Sequence, residues 1–139
     1  MPKQPHAEYL ARLQHADLFL DTEPYNAHTT ASDALWVGCP VLTRPGDTFA
    51  ARVAGSLNHH LGMDAMNVAD DAAFVARAVA IGRDPAVLAG LRQQLRGSRG
   101  ASGLFDMRAF ADDFTATILA MAQRHRRGLP PAALGQSAL

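Results

Sequence analysis

Residues 17–47 read Asp17-Leu18-Phe19-Leu20-Asp21-Thr22-Glu23-Pro24-Tyr25-Asn26-Ala27-His28-Thr29-Thr30-Ala31-Ser32-Asp33-Ala34-Leu35-Trp36-Val37-Gly38-Cys39-Pro40-Val41-Leu42-Thr43-Arg44-Pro45-Gly46-Asp47. The apolar run Leu18 to Leu20 has the length of a buried strand, and a polar loop kept open by Pro24 and Asn26 follows it. Thr29 or Thr30 then opens a helix that ends near Gly38, before a second strand from Val41 to Thr43. In such a unit the loop lies at the carboxyl end of the first strand. The helix N-terminus aims its unpaired backbone N–H groups at whatever binds there, so an anion is the expected guest. The residues at this mouth suit a nucleotide diphosphate: the imidazole of His28, the hydroxyls of Thr29 and Thr30, and the carboxylate of Asp33 one turn into the helix.

Each of these residues also has a plainer reading. Thr30 followed by Asp33 approximates a capping box, which would use the hydroxyl to close the helix. His28 taken alone is a loop histidine, and its place directly before two hydroxyls is what favours a phosphate contact. Asn26 fits a turn position as well as it fits a ligand contact.

Outward from this stretch, residues 5–15 are expected to form a helix with Leu10 and Leu13 inward. After Thr43, Arg44-Pro45-Gly46-Asp47 reads as a turn. Asp47 or Thr48 then caps a helix with Phe49, Val53 and Leu57 inward, and Trp36 and Phe49 are expected in the core. A third strand is expected at Met66 to Ala69. Asp70 and Asp71 begin a helix through Phe74, Val75, Val79 and Ile81, where the macrodipole favours their charge. Pro85 begins another, through Leu88, Leu91 and Leu95, ending in Gly97-Ser98-Arg99-Gly100. A last helix over residues 107–127 carries Phe110, Phe114, Ile118, Leu119 and Met121 at helical spacing. Residues 129–139, rich in Pro, Ala and Gly, read as a disordered tail after a domain spanning 1–128. No internal repeat is visible.

With 139 residues, 48% of them hydrophobic, the chain is sized for one core. Its formal net charge is zero, which removes the long-range attraction on which nucleic-acid and anionic-membrane binders depend. Cys39 is the one cysteine, so no internal disulfide can form, and a small buried thiol is expected there. No stretch has the length of an apolar membrane span. The residues around Lys3, Gln4, His6 and Glu8 lack a signal-peptide core, so a cytoplasmic location is expected. His59 and His60 have no third ligand at metal spacing and are read as surface residues.

The stretch resembles the C-terminal catalytic domain of the O-GlcNAc transferases, a group that includes the SPINDLY-type protein O-fucosyltransferases. The resemblance rests on Leu20-Asp21-Thr22, Asn26-Ala27-His28-Thr29-Thr30, Asp33, Leu35-Trp36, Gly38 and Pro40 through Arg52. It continues in weaker form through Leu61-Gly62, Ala69 and Ser102-Gly103-Leu104-Phe105. It implies an α/β fold, part of the Rossmann-like C-terminal domain of a GT-B glycosyltransferase, with about three parallel strands flanked by helices and a long C-terminal helix. The activity it implies is transfer of GlcNAc from UDP-GlcNAc to Ser or Thr of a protein acceptor, with no metal or other cofactor. The His-Thr-Thr motif with Asp33 points to UDP-GlcNAc, whereas the fucosyltransferase branch uses GDP-fucose. Family roles fall on Lys3 for the uracil, His6 for stacking on the base, His28, Thr29 and Thr30 for the diphosphate, and Asp33 for the ribose. Asn26 either holds the loop or touches the donor. No residue matches the family's general base or acceptor groove, so activity is expected to need upstream sequence, in the same chain or as a complementing half. A non-catalytic nucleotide-sugar binding or interaction module is the alternative.

Overall fold

The computed structural model describes residues 4–134. The chain divides into two compact units, Met1–Ser102 and Gly103–Leu139. In the first, the elements run α1 (His6–Leu13), β1 (Phe19–Leu20), α2 (Thr29–Val37), β2 (Val41–Leu42), α3 (Val53–His60), a 3-10 turn (Asp64–Met66), α4 (Asp71–Arg83) and α5 (Pro85–Arg99). The second holds α6 (Met107–Arg126).

The sheet is two-stranded and parallel, with Phe19 opposite Val41 and Leu20 opposite Leu42. Phe19 N–H donates to Pro40 O and Asp21 N–H to Leu42 O, both at 2.9 Å. The crossover from β1 to β2 is α2, which ends where Gly38 takes φ 89°, a left-handed conformation that ordinary side chains resist. The buried Ala31, Ala34 and Leu35 of α2 pack over the fully buried Val41 and Leu42.

A third strand at Met66 to Ala69 does not form. Residues Asp64–Met66 coil into the 3-10 turn, and pairing is reduced to one parallel bridge between Thr43 and Asn67. Thr43 N–H donates to Met66 O (3.1 Å) and Val68 N–H to Thr43 O (3.0 Å). The extension stops there because Asp70 already serves as the N-cap of α4, its carboxylate accepting from Ala73 N–H at 2.8 Å.

The segment 48–61 also differs from its expected form. The chain makes a turn over Thr48–Arg52, and α3 starts only at Val53. Its buried residues are Ala54, Gly55 and Asn58, whereas Val53 and Leu57 are half-buried and Phe49 is 81% exposed. Close approach selects this smaller face. A Cβ on Gly55 would meet Pro45 Cγ at 2.8 Å, and one on Gly46 would meet Ala51 Cβ at 2.9 Å. Asn58 then fastens the helix to the sheet: its Nδ2 donates to Val41 O and to Asn67 Oδ1, each at 2.9 Å, and Asn67 Nδ2 donates to Gly55 O at 3.0 Å.

Helix α5 closes the first unit. Asp84 caps it ahead of Pro85, accepting from Ala86 N–H at 2.8 Å, and Leu91 and Leu95 are buried. Arg92 donates to Ala16 O (2.6 Å), and Gln94 to Gly62 O (2.7 Å). Trp36 is not in the core: it is 47% exposed, with the Arg99 guanidinium 5.1 Å above its ring.

In the second unit, Asp106 caps α6 by accepting from Arg108 and Ala109 N–H. Phe110 and Phe114 stack along α6 with centroids 6.0 Å apart. After Gly128, Leu129 N–H donates back to Arg124 O. Residues 129–134 have no regular secondary structure, and the rest of the expected tail, 135–139, lies outside the described residues.

Cys39, 1% exposed, is the buried thiol expected, and burial pushes it from the ordinary 9.0 up to about 11. A thiol with a raised folded-state value favours the protonated form. Its contribution to stability is therefore full below pH 9 and is lost as pH rises toward 11. Alkylation by iodoacetamide at pH 8 should be slow in the native chain and fast in denaturant; equal rates would contradict burial of this thiol. Asn58→Ala removes both donations and leaves Val41 O and Asn67 Oδ1 without that donor, a loss of about 2–3 kcal/mol in urea unfolding.

Candidate functional site

The site lies at the carboxyl end of β1. Asp21, Thr22, Tyr25, Asn26, His28 and Thr30 line a recess of ≈ 350 Å³ there. The β1–α2 loop that forms it is held by Asp21, only 6% exposed. One carboxylate oxygen accepts from Thr22 N–H (3.0 Å) and Ala27 N–H (2.7 Å), and the other from the Thr43 hydroxyl (2.7 Å). Asn26, 1% exposed, adds a second tie: its N–H donates to Ala50 O at 3.0 Å and its Nδ2 to Thr22 O at 3.3 Å. Its Oδ1 is buried without a partner among the described residues. Loop holding is thus what Asn26 visibly does.

His28 is the N-cap of α2 by position, but no side chain caps this helix. Thr29 and Thr30 are exposed, and among the described residues their hydroxyls have no hydrogen-bond partner. The capping-box reading of Thr30 therefore does not hold. The first intrahelical donation into this end is Ser32 N–H to His28 O at 3.0 Å. The N–H groups of Thr29, Thr30 and Ala31 stand ahead of it, where a helix offers unpaired donors and the positive end of its dipole.

The His28 ring is clamped. Its Nε2 lies 3.2 Å from Ala50 O, Tyr25 stacks on it at 4.7 Å and 26°, and Phe49 meets it edge-on at 6.0 Å and 81°. A carbonyl can only accept, so Nε2 carries the proton. A neutral His28 then presents Nδ1 as an acceptor, and donation from Nδ1 to an anion requires the imidazolium.

On the other side of α2, Asp33 faces α1. Its side chain is 17% exposed, and His6 Nε2 lies 3.8 Å away. Burial, then the charge of Asp33, pushes the Tyr9 phenol upward. His6 and Asp33 are thus brought together, with the His6 ring 6.0 Å from that of Tyr9. Lys3 lies outside the described residues. His59 and His60 are exposed and apart from the recess, His59 pairing with Asp64 at 2.7 Å.

Sequence reasoning left Asp21 and Tyr25 out of the site. A carboxylate directly after an apolar strand and before a loop was the available signal for Asp21. Nothing local marked Tyr25.

The model of glycosyl transferase family 41 matches residues 2–114. The chain belongs to this family. It is 36% identical over 123 residues to the UDP-N-acetylglucosamine–peptide N-acetylglucosaminyltransferase of Caenorhabditis elegans, a match that spans 88% of this chain and 11% of that protein. It is 34% identical to the Arabidopsis thaliana protein named as the probable transferase SEC, over 90% of this chain and 13% of that one. Petunia hybrida SPINDLY, named as a probable enzyme of the same kind, is 30% identical over 83% of the chain. A solved mutant of the Thermobaculum terrenum O-GlcNAc transferase superposes with a TM-score of 0.79 at 30% identity, covering 85% of this chain and 23% of that one. The family 41 chain described here is therefore similar to a small part of each of these proteins.

Asp21→Ala should destabilise the first unit by about 3 kcal/mol, because it removes three acceptances and strands the buried Thr43 hydroxyl. Thr30→Ala should stay within about 0.5 kcal/mol of the parent, since its hydroxyl caps nothing. Urea unfolding of both variants checks the pair.

Proposed function

We propose that this family 41 chain is the donor-binding segment of a protein O-GlcNAc transferase, holding UDP-GlcNAc for transfer of GlcNAc to Ser or Thr of a protein acceptor. The observation that carries the reading is the N-terminus of α2 at the recess: unpaired N–H groups beside the two exposed threonine hydroxyls, whose oxygens have no partner among the described residues. This is what a diphosphate needs. As the bond to the sugar breaks, negative charge grows on the departing UDP, and preorganised donors with a helix dipole behind them stabilise that charge without a metal. Thr29 and Thr30 donate to phosphate oxygens with His28 beside them, Asp33 accepts from the ribose hydroxyls, and by family resemblance the base falls to His6 and Lys3.

The general base and the acceptor groove belong to upstream sequence in this proposal. Support comes from the share of the relatives that the chain spans, 11% of the C. elegans protein and 23% of the T. terrenum chain. A cytoplasmic setting goes with the reading, and no described helix is long and apolar enough to cross a membrane.

Calorimetric titration should show UDP binding tighter than GDP. Thr30→Ala should weaken UDP at least fivefold while leaving the affinity for uridine unchanged. Tighter GDP binding would favour the fucosyltransferase branch, and equal losses for UDP and uridine would remove the hydroxyl from the phosphate site. With a peptide acceptor and UDP-GlcNAc, this chain alone should release no UDP until the upstream catalytic portion is added.

A further inference from the structure

The β1–α2 loop is fastened at its ends and open between them. Asp21 holds Thr22 and Ala27, and Asn26 N–H is tied to Ala50 O. Glu23, Pro24 and Tyr25 make no backbone hydrogen bond among the described residues. The Tyr25 ring rests on His28, and the Glu23 carboxylate accepts from Arg44 Nη2. Arg44 follows Thr43 at the carboxyl end of β2, so its side chain leaves the sheet at the same edge as the recess.

The same guanidinium reaches a second anchor. Arg44 Nε lies 3.4 Å from Asp71 Oδ1, in the first turn of α4. Arg44 thus joins the outer part of the loop to β2 on one side and to the start of a capped helix on the other. The Arg44 and Glu23 side chains are 31% and 35% exposed, so water screens their attraction less than that of a fully solvated pair. The pair also sets the charge beside the recess. Glu23 is the neighbour of Thr22, which lines it, and an unpaired carboxylate there would repel a diphosphate on the adjoining helix end. Arg44 cancels that charge. Without Arg44, Glu23 and Asp71 lose the cation they share, and their mutual repulsion favours a loop displaced from the sheet.

We propose that Arg44 is a positioning residue of this site, acting through Glu23 to hold the outer β1–α2 loop on the sheet and to neutralise its charge beside the diphosphate. The inference rests on the donor-binding reading above, and the test separates the two. Calorimetric titrations of UDP and uridine are compared for the parent chain, Arg44→Met, Glu23→Gln and the double variant. Arg44→Met should weaken UDP about two- to fivefold and leave uridine unchanged. The same substitution made in the Glu23→Gln background should cause no further loss, because the group through which Arg44 acts is already gone. The loss should also shrink in about 0.5 M salt, where the freed carboxylate is screened from the phosphates. Equal losses for UDP and uridine would mean that Arg44 only supports the fold. A loss that persists in the Glu23→Gln background, or that salt does not change, would mean that it acts otherwise than through this ion pair, and no loss at all would mean that the loop needs no such clamp. Each of these overturns the inference and leaves the donor-binding reading standing. Failure of the parent to bind UDP would overturn that reading and the inference with it.

Discussion

The carboxylate of Asp21 ties together parts of the chain that are otherwise far apart in sequence. It sits buried one residue past the end of β1, and its backbone N–H is already committed to Leu42 O. One oxygen takes the Thr43 hydroxyl across the sheet; the other takes the Ala27 N–H at the far end of the loop. A buried anion without such partners would cost several kcal/mol, so the loop and β2 are constrained to supply them. The start of α2 follows from this, because Ala27 lies next to the residue that precedes the helix.

Thr43 carries the constraint further. Its side chain serves Asp21, while its own N–H and C=O pair with Met66 and Val68. The same residue thus joins the β1–α2 loop to the last extended segment of the unit. Asn58 repeats the device from the helix side by bridging Val41 O and Asn67. A two-stranded parallel sheet is too small to be held by its ladder alone. Buried side-chain to backbone bonds supply part of the missing order, and the helices packed around it supply the rest. The candidate site profits directly, since a helix end proposed to hold a ligand is useful only when its position is fixed to a fraction of an ångström.

The family was legible in residues 17–47, as was the order of the elements around the candidate site. The strand, loop, helix and strand appear in the expected order, Gly38 takes the left-handed conformation that ends α2, and the Asp and Pro signals of α4 and α5 fall at their caps. The third strand was misread because Met66 to Ala69 has a strand-like pattern while the neighbouring Asp64 and Asp70 enforce a turn and a cap. Phe49 and Trp36 were placed in the core on hydrophobicity alone. Phe49 falls in the turn ahead of α3 and is exposed, and the close approach of Gly55 to Pro45 turns the small face of α3 inward.

The sequence by itself determined what is local: the lengths of the apolar runs, the capping residues, and the His28-Thr29-Thr30 motif at a helix start. These depend on near neighbours in the chain, and their chemistry is set by residue type. Only the tertiary structure decided which way each group is used. It left the threonine hydroxyls uncapped and exposed, turned Asp33 toward His6, placed the proton of His28 on Nε2 through Ala50 O, and stacked Tyr25 on that ring. The Asp33–His6 and His28–Ala50 contacts join groups of different elements that lie more than twenty residues apart. No short-range pattern can encode such a contact, because it exists only after the sheet, the loop and α3 have packed to their final distances.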